Sequence, residues 1–166
     1  MERVGNLQDS RTKLTQEVAA LLDGLRNLLA INATDLRGQF RILRNIRSLA
    51  YENMNQILHE ALLLRAIDYL LQIYTQNIEW FWNPRQTGDS NEPDLRGMAN
   101  KTILISAEAT TSDEPQAKVD RRMQDTLTKL STMQGDLFYF VETESMRRRA
   151  QTKVAKAGYN IKVVLC

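Results

Sequence analysis

The sequence contains one cysteine, Cys166, and one histidine, His59, and both scarcities narrow the chemistry open to the protein. A single thiol excludes a disulfide framework and a zinc site built from thiolates. A single imidazole leaves little for histidine-based chemistry, so catalysis would rest on carboxylates, lysines and hydroxyls. Long uncharged apolar runs and a signal-peptide core are also missing, so we expect a cytoplasmic protein with no membrane segment.

The 166 residues, of which 43% are hydrophobic, suffice for one full core, and we expect a single domain over residues 1–166. Apolar residues at helical spacing mark residues 13–77 as a helical region. Residues 78–166 alternate strand, turn and helix signals and are expected to form an α/β core that includes the helix at 50–77. The predicted fold class is α/β (α+β), with a helical N-terminal half packed on a small mixed sheet with flanking helices.

The element boundaries follow from periodicity and from turn residues. Two helices are expected after the first one, from Asp35 to Ser48 and from Tyr51 to about Gln76. Later elements are predicted at Asp94–Met98, Thr102–Thr110, Gln116–Met133, Leu137–Glu142, Ser145–Ala157 and Tyr159–Leu165, alternating from strand pair to helix, strand, helix and strand. Gly135 and Gly158 follow the last two helices, where a left-handed cap is expected.

One stretch, "EPDLRGMANKTILISAEATT" from Glu92 to Thr111, predicts a β-hairpin with its turn near Asn100. In that register Asp94 lies opposite Ala107 or Glu108, so two carboxylates would meet on adjacent strands. Like charges in a buried position need a cation between them, and Mg²⁺ suits a few carboxylate oxygens together with waters and a phosphate. The alternative is that Asp94 caps the turn or pairs with an arginine, while Glu108 reaches solvent at a sheet edge.

Pro93 and Asp94, followed after thirteen residues by Glu108, Ala109 and Thr110, resemble the PD-(D/E)xK motif of the restriction-endonuclease-like nucleases. The element order over residues 51–166 is also similar to that superfamily's core. The resemblance implies a type II restriction endonuclease-like enzyme that hydrolyses DNA with Mg²⁺ or Mn²⁺. It assigns the metal to Asp94, Glu108 and the backbone carbonyl of Ala109.

The chain departs from this motif at its last position, where Thr110 stands in place of the lysine. That lysine orients the attacking water and steadies the charge of the phosphorane, and a threonine hydroxyl supplies no charge. Lys118, one turn into the following helix, is the candidate substitute, and a solvent-facing lysine is the alternative. Glu60 is a further, weaker candidate metal ligand from the preceding helix, and a salt-bridged Glu60 is its alternative.

Four arginines form one stripe on the helix expected from Asp35 to Ser48: Arg37, Arg41, Arg44 and Arg47. They suit contacts with the phosphates of double-stranded DNA, and the alternative is a solvated face paired with acids. Arg85 and Arg122 are further candidates for nucleic-acid contact. The leucine-rich N-terminal helices offer a surface for a homodimer.

Two other hypotheses stay open from the sequence alone. In the first, the missing lysine makes the protein a catalytically inactive nuclease-fold subunit that binds DNA or serves assembly. In the second, the chain is a helical interaction protein in which Asp94 and Glu108 are surface residues. Recognition sequence and cleavage pattern are not readable from these residues.

Overall fold

The computed structural model describes residues 1–84 and 91–166, which form four helices and one six-stranded sheet. In chain order the elements are β1 (Glu2–Arg3), α1 (Leu7–Leu29), α2 (Leu36–Ile73), β2 (Glu79–Trp82), β3 (Leu95–Ala99), β4 (Thr102–Thr110), α3 (Ala117–Ser131), β5 (Asp136–Val141), α4 (Glu144–Ala157) and β6 (Ile161–Leu165). The strands lie side by side in chain order, antiparallel from β1 to β4 and parallel from β4 to β6. The predicted α+β class with a mixed sheet is confirmed.

The elements after the hairpin turn lie close to their predicted positions, because local signals define them. Strand β4 has the predicted bounds, and β3, α3, β5, α4 and β6 begin and end within two residues of theirs. Gly158, with a φ angle of 68°, is the left-handed cap of α4 as predicted. Gly135 also has a positive φ angle, 84°, but it lies in the turn before β5, and the cap of α3 is Thr132 in the right-handed region, so the predicted cap at Gly135 is wrong. A Cβ on Gly135 would also lie 2.5 Å from the backbone of Leu104, so only glycine fits there.

The N-terminal half differs from the prediction in three places. The two helices expected on either side of Ser48 form one continuous 38-residue helix, α2, because the "SLAY" junction contains no glycine or proline to interrupt it. Helix α1 begins at Leu7 instead of near Lys13, since the Asn6 side chain caps it by accepting a hydrogen bond from the Gln8 amide at 2.9 Å. The two-residue strand β1, which pairs with β2, was not predicted.

The expected single domain contains two compact units, Met1–Gly5 with His59–Cys166, and Asn6–Leu58. In the first unit the sheet is covered on both faces. Helix α2, from His59 onward, lies on the face of Phe140, whose ring packs edge-on against Tyr69 at 5.9 Å. Helices α3 and α4 cover the opposite face through one apolar cluster: Met123, Leu127, Leu130, Leu137, Tyr139, Val141, Met146, Ala150 and Ile161.

The second unit, Asn6–Leu58, consists of α1 and the first part of α2. No apolar side chain in it is buried. None of the four helices within the described ranges, the long α2 included, has the apolar stretch that a membrane span requires.

The hairpin between β3 and β4 has the register that the sequence predicts. Asn100 and Lys101, with φ angles of 51° and 65°, form a two-residue turn of the mirror-image type that matches strand twist. Leu95 pairs with Ala107, and a bulge between Gly97 and Met98 absorbs one step of register. The next position along β3 is Asp94, which this register places beside Glu108.

Candidate active site

The carboxylates of Asp94 and Glu108 meet inside the protein at the mouth of the β3–β4 hairpin. Only 7% of Asp94 and 5% of Glu108 is exposed to solvent. Oδ2 of Asp94 accepts a hydrogen bond from the backbone amide of Ala109 at 2.9 Å, which joins the end of β3 to β4. The alternative in which Glu108 reaches solvent at a sheet edge is therefore wrong, and so is the hypothesis that the two acids are surface residues.

Glu108 faces helix α3 because it lies beside Tyr139 in the parallel ladder, and Tyr139 belongs to the cluster under α3. The α3 residue that meets it is Lys129, whose Nζ lies 2.5 Å from Oε1 of Glu108 and also donates a hydrogen bond to the backbone oxygen of Glu92 at 3.2 Å. This contact is an ion pair, since no donor among the described residues makes a well-aligned hydrogen bond to Oε1. The lysine of α3 that contacts Glu108 is therefore Lys129 and not Lys118.

The acid pair has unusual protonation chemistry. Burial and the charge of Asp94 both oppose ionisation of Glu108, while the ammonium of Lys129 favours it. The net effect raises the pKa of Glu108 to about 8. A carboxyl group with so large a rise in pKa is typical of functional sites.

His59, at the start of the α2 segment that belongs to the sheet unit, lies against the other acid. Its Nδ1 is 3.1 Å from the backbone oxygen of Pro84 and its Nε2 is 3.4 Å from Oδ2 of Asp94. A carbonyl oxygen only accepts, so Nδ1 carries a proton, and Nε2 faces a second acceptor. Burial acts to lower the pKa of His59, but its hydrogen bond with Asp94 and the charges of Asp94 and Glu60 outweigh burial and raise it.

Thr110, at the position of the motif lysine, lies on the same face of the sheet as Glu108 and Tyr139, which are partners in the ladder between β4 and β5. Burial and the charges of Glu108 and Asp94 outweigh the opposing effects of Thr110 and Arg122 and raise the pKa of Tyr139 to about 12. The phenol of Tyr139 therefore stays neutral. Arg122 lies close enough to this site to act on it electrostatically.

The other candidates from the sequence lie in different places. Lys118 is exposed on the first turn of α3, about 16 Å along the helix axis from Lys129. Glu60 is buried with 4% exposure, and its charge acts on its neighbour His59. Ala109 contacts Asp94 through its amide, and its carbonyl remains a predicted ligand.

The arginine candidates divide between the two units and the undescribed segment. Arg37, Arg41, Arg44 and Arg47 are exposed on α2 within the unit Asn6–Leu58. Arg85 lies outside the described residues.

Two site residues, His59 and Lys129, are missing from the sequence prediction. Lys129 follows Lys118 by eleven residues, or three helical turns, so a helical projection places both on one face of α3 with Arg122. The projection does not show which turn of α3 lies beside Glu108 of β4. For His59 the signal was its position next to Glu60, which the sequence already suggested as a site residue.

Within the described parts of the chain, no three His, Cys, Asp or Glu side chains converge as a protein-only metal site would need. The site thus offers two carboxylates, two adjacent cationic side chains and a phenol–hydroxyl pair. Comparisons of the chain with protein families, with curated proteins and with solved structures gave no match.

Proposed function

We propose that the protein is a metal-dependent endonuclease that hydrolyses DNA phosphodiester bonds in the cytoplasm, similar to type II restriction endonucleases of the PD-(D/E)xK class. The observation that carries the proposal is the buried pair Asp94 and Glu108 with the ammonium of Lys129 placed against Glu108. Two acids and a lysine at the mouth of a hairpin are the groups that this chemistry needs. The order of hairpin, helix, parallel strand, helix and strand also supports the resemblance.

The donor set fits Mg²⁺ or Mn²⁺. A Mg²⁺ ion in phosphoryl-transfer sites needs one or two carboxylates, takes its other ligands from water and substrate phosphate, and so does not need three protein side chains. Burial and the charge of Asp94 raise the pKa of Glu108 even with Lys129 in contact, so Lys129 balances the buried acid pair only in part and a bound cation would stabilise both carboxylates. Asp94, Glu108 and the carbonyl of Ala109 would hold the ion, with Glu60 behind them. When bound, the ion would polarise the phosphate and lower the pKa of its water.

The chain's own residues account for the remaining requirements. Lys129 supplies the charge that Thr110 lacks, because its ammonium already lies at the carboxylate that flanks the reacting phosphate in this proposal. It can orient the attacking water and steady the developing negative charge. His59 and the Ala109 amide both contact Oδ2 of Asp94 and so fix the orientation of that carboxylate.

DNA is the substrate that the arginines of α2 favour. Among the described residues no carboxylate pairs with the four arginines of α2, which are Arg37, Arg41, Arg44 and Arg47. The arginines of α4 differ, because Arg147 and Arg148 pair with Glu144, and Arg149 pairs with Asp120. Unpaired guanidiniums along one helix are suited to backbone phosphates, which contribute affinity without sequence preference.

A plasmid-cleavage assay in Mg²⁺, Mn²⁺ and EDTA tests the proposal. We expect the purified chain to linearise or nick plasmid DNA with either metal and to be inactive in EDTA. Asp94→Asn and Glu108→Gln should abolish cleavage, and Lys129→Met should slow it strongly. Lys156→Met, which changes an exposed lysine at the end of α4, should leave cleavage unchanged. Cleavage that survives in Asp94→Asn would contradict the assignment.

One set of contacts favours a second candidate, a nuclease-fold subunit that binds DNA without cutting it. Each acid already has a basic partner within the chain, His59 for Asp94 and Lys129 for Glu108, so the pair is partly balanced without a metal. The two candidates differ in metal binding. If the site binds Mg²⁺ or Mn²⁺, the melting temperature should rise with metal concentration in the wild type and in Asp125→Asn, but not in Glu108→Gln. DNA binding with neither cleavage nor this thermal shift would favour the second candidate.

A further inference from the structure

The helical unit Asn6–Leu58 keeps its large apolar side chains at the surface. Ten of the thirteen large apolar residues that are exposed in the described chain belong to this unit, and none of its apolar side chains is buried. Two helices alone have no second layer against which to bury an apolar face. The unit therefore resembles one half of a helical bundle, with two helices and an exposed apolar surface.

Helix α2 carries the longer part of this surface. Its exposed apolar residues, with 41% to 67% of their surface open to solvent, are Leu36, Phe40, Leu43, Tyr51, Met54 and Leu58. At 100° per residue they fall within an arc of about 80° and extend for about 33 Å along the helix. Only Arg47 interrupts the arc with a charge, and its long apolar stem can pack at the edge of such a face.

Helix α1 carries a matching stripe. Val18, Leu22 and Leu29 lie within an arc of about 40° and are 37% to 71% exposed. In α1 the partly covered residues, which include Leu14, Leu21 and Leu28, lie on an adjacent face. The helix thus has one face for α2 and a second apolar face with no partner in the described chain.

The two stripes lie on the same side of the helical pair. A Cβ on Gly24 would lie 2.9 Å from Cδ2 of Leu49, so α1 and α2 are in contact there, and the six-residue connection makes them run in opposite directions. In each helix, viewed along its own chain, the exposed stripe is rotated by about 90–130° in the same sense from the covered face. Because the helices are antiparallel, rotations in the same sense along each chain place both stripes on the same side of the pair. The two stripes therefore form one apolar face.

We propose that this face, which we call the hairpin face, binds the hairpin face of a second copy of the chain to form a four-helix bundle. The nine side chains expose on the order of 900 Å², close to the ~800 Å² that each partner contributes to a stable interface. A two-fold axis needs a self-complementary surface, and a face that is apolar on both helices meets that need. Two hairpins packed in this way are a known bundle architecture.

The positions of three arginines of α2 are compatible with pairing to a second copy of the chain. Arg37, Arg41 and Arg44 lie beyond the apolar arc on the side away from α1, so they would border the bundle without being buried in it. Pairing through the hairpin face would leave these three open to phosphate, whereas Arg47 would lie within the interface and would not contact DNA in the dimer. The dimer rests on the two helices alone and does not depend on the proposed nuclease activity.

Light scattering coupled to size exclusion, over a dilution series of the full chain, tests the inference. We expect a mass of twice 19.1 kDa for the wild type and a melting temperature that rises with concentration. Leu43→Asp places a charge at the centre of the hairpin face and should yield a monomer. Asn45→Asp adds the same charge two residues away, on an exposed position outside the face, and should stay dimeric.

Circular dichroism on both variants separates loss of pairing from loss of fold. A monomeric wild type at every concentration would overturn the inference without reference to any variant, as would a Leu43→Asp variant that stays dimeric. A monomeric wild type that co-sediments with phosphatidylserine vesicles would overturn it in favour of a lipid surface. A dimer that fails to cut DNA leaves the hairpin face intact and contradicts only the proposed function.

Discussion

The ammonium of Lys129 lies 2.5 Å from a carboxylate oxygen of Glu108, although neither residue is near the other in sequence. The sequence directed attention to Lys118, at the beginning of the same helix. Lys129 is near the end of α3, and only the packing of the helix on the sheet determines which of its residues lies beside Glu108. This pair decides which lysine serves the site, and it yields the first prediction.

Lys129→Met should reduce single-turnover cleavage by about 10²- to 10³-fold, the usual cost of removing a charge that stabilises a transition state. Lys118→Met should change the rate by less than about twofold, because Lys118 is exposed and a helix length away. Both variants keep the same α3 scaffold, so each controls for the other. The opposite order of effects would restore the sequence prediction and remove Lys129 from the mechanism.

Glu108 should make the metal-free protein less stable as pH rises. Its pKa is about 8 in the folded state against 4.5 ordinarily, so the folded state binds more protons between those values, and the free energy of unfolding falls as pH increases through that window. Glu108→Gln removes the titration. In urea denaturation with EDTA, the variant should exceed the wild type at pH 8.5 by roughly 1–3 kcal/mol and by much less at pH 5. If the free energy of unfolding varied with pH in the same way for the two proteins, the pKa of Glu108 would not be raised in the folded state.

His59 should contribute stability through its proton. Burial opposes the charged form, but Asp94 and Glu60 raise the pKa above the ordinary 6.5, so the stabilisation is fully present below pH 6.5 and is lost as pH rises through the folded value. His59→Gln should therefore cost about 2–4 kcal/mol at pH 6, since it leaves Asp94 without its cationic neighbour, and less at pH 9. A cost that does not vary with pH would mean that His59 is a neutral packing residue.

The hairpin was predictable because its determinants are local. Asn100 tolerates the turn, the strands alternate in character, and together they fix the register that brings Asp94 to Glu108. Local patterning also placed α3 and α4 and the glycine that caps α4. The pairing of Asp94 with Glu108 thus followed from about twenty residues of sequence.

The remaining contacts depend on long-range packing and could not be predicted. His59 and Lys129 contact the acids from α2 and α3, and the periodicity of the sequence does not predict where these helices pack on the sheet. The continuity of α2 across Ser48 was missed because its apolar face changes along the helix, from the hairpin face to the face that covers the sheet. Strand β1 is two residues long and has no pattern at all.

The arginines of α2 should govern how DNA affinity depends on salt. Each guanidinium that meets a phosphate releases a counterion, so Arg44→Gln should lower the slope of log affinity against log salt by about 1 and weaken binding for all sequences alike. Arg148→Gln is the matched control, because Arg148 is equally exposed on a helix but is paired with Glu144. Fluorescence anisotropy with Ca²⁺ or EDTA, to prevent cleavage, measures both slopes. Equal slopes for the two variants would mean that the α2 stripe is a solvated surface, and DNA contacts would then have to come from the sheet unit, where Arg122 is the nearest candidate.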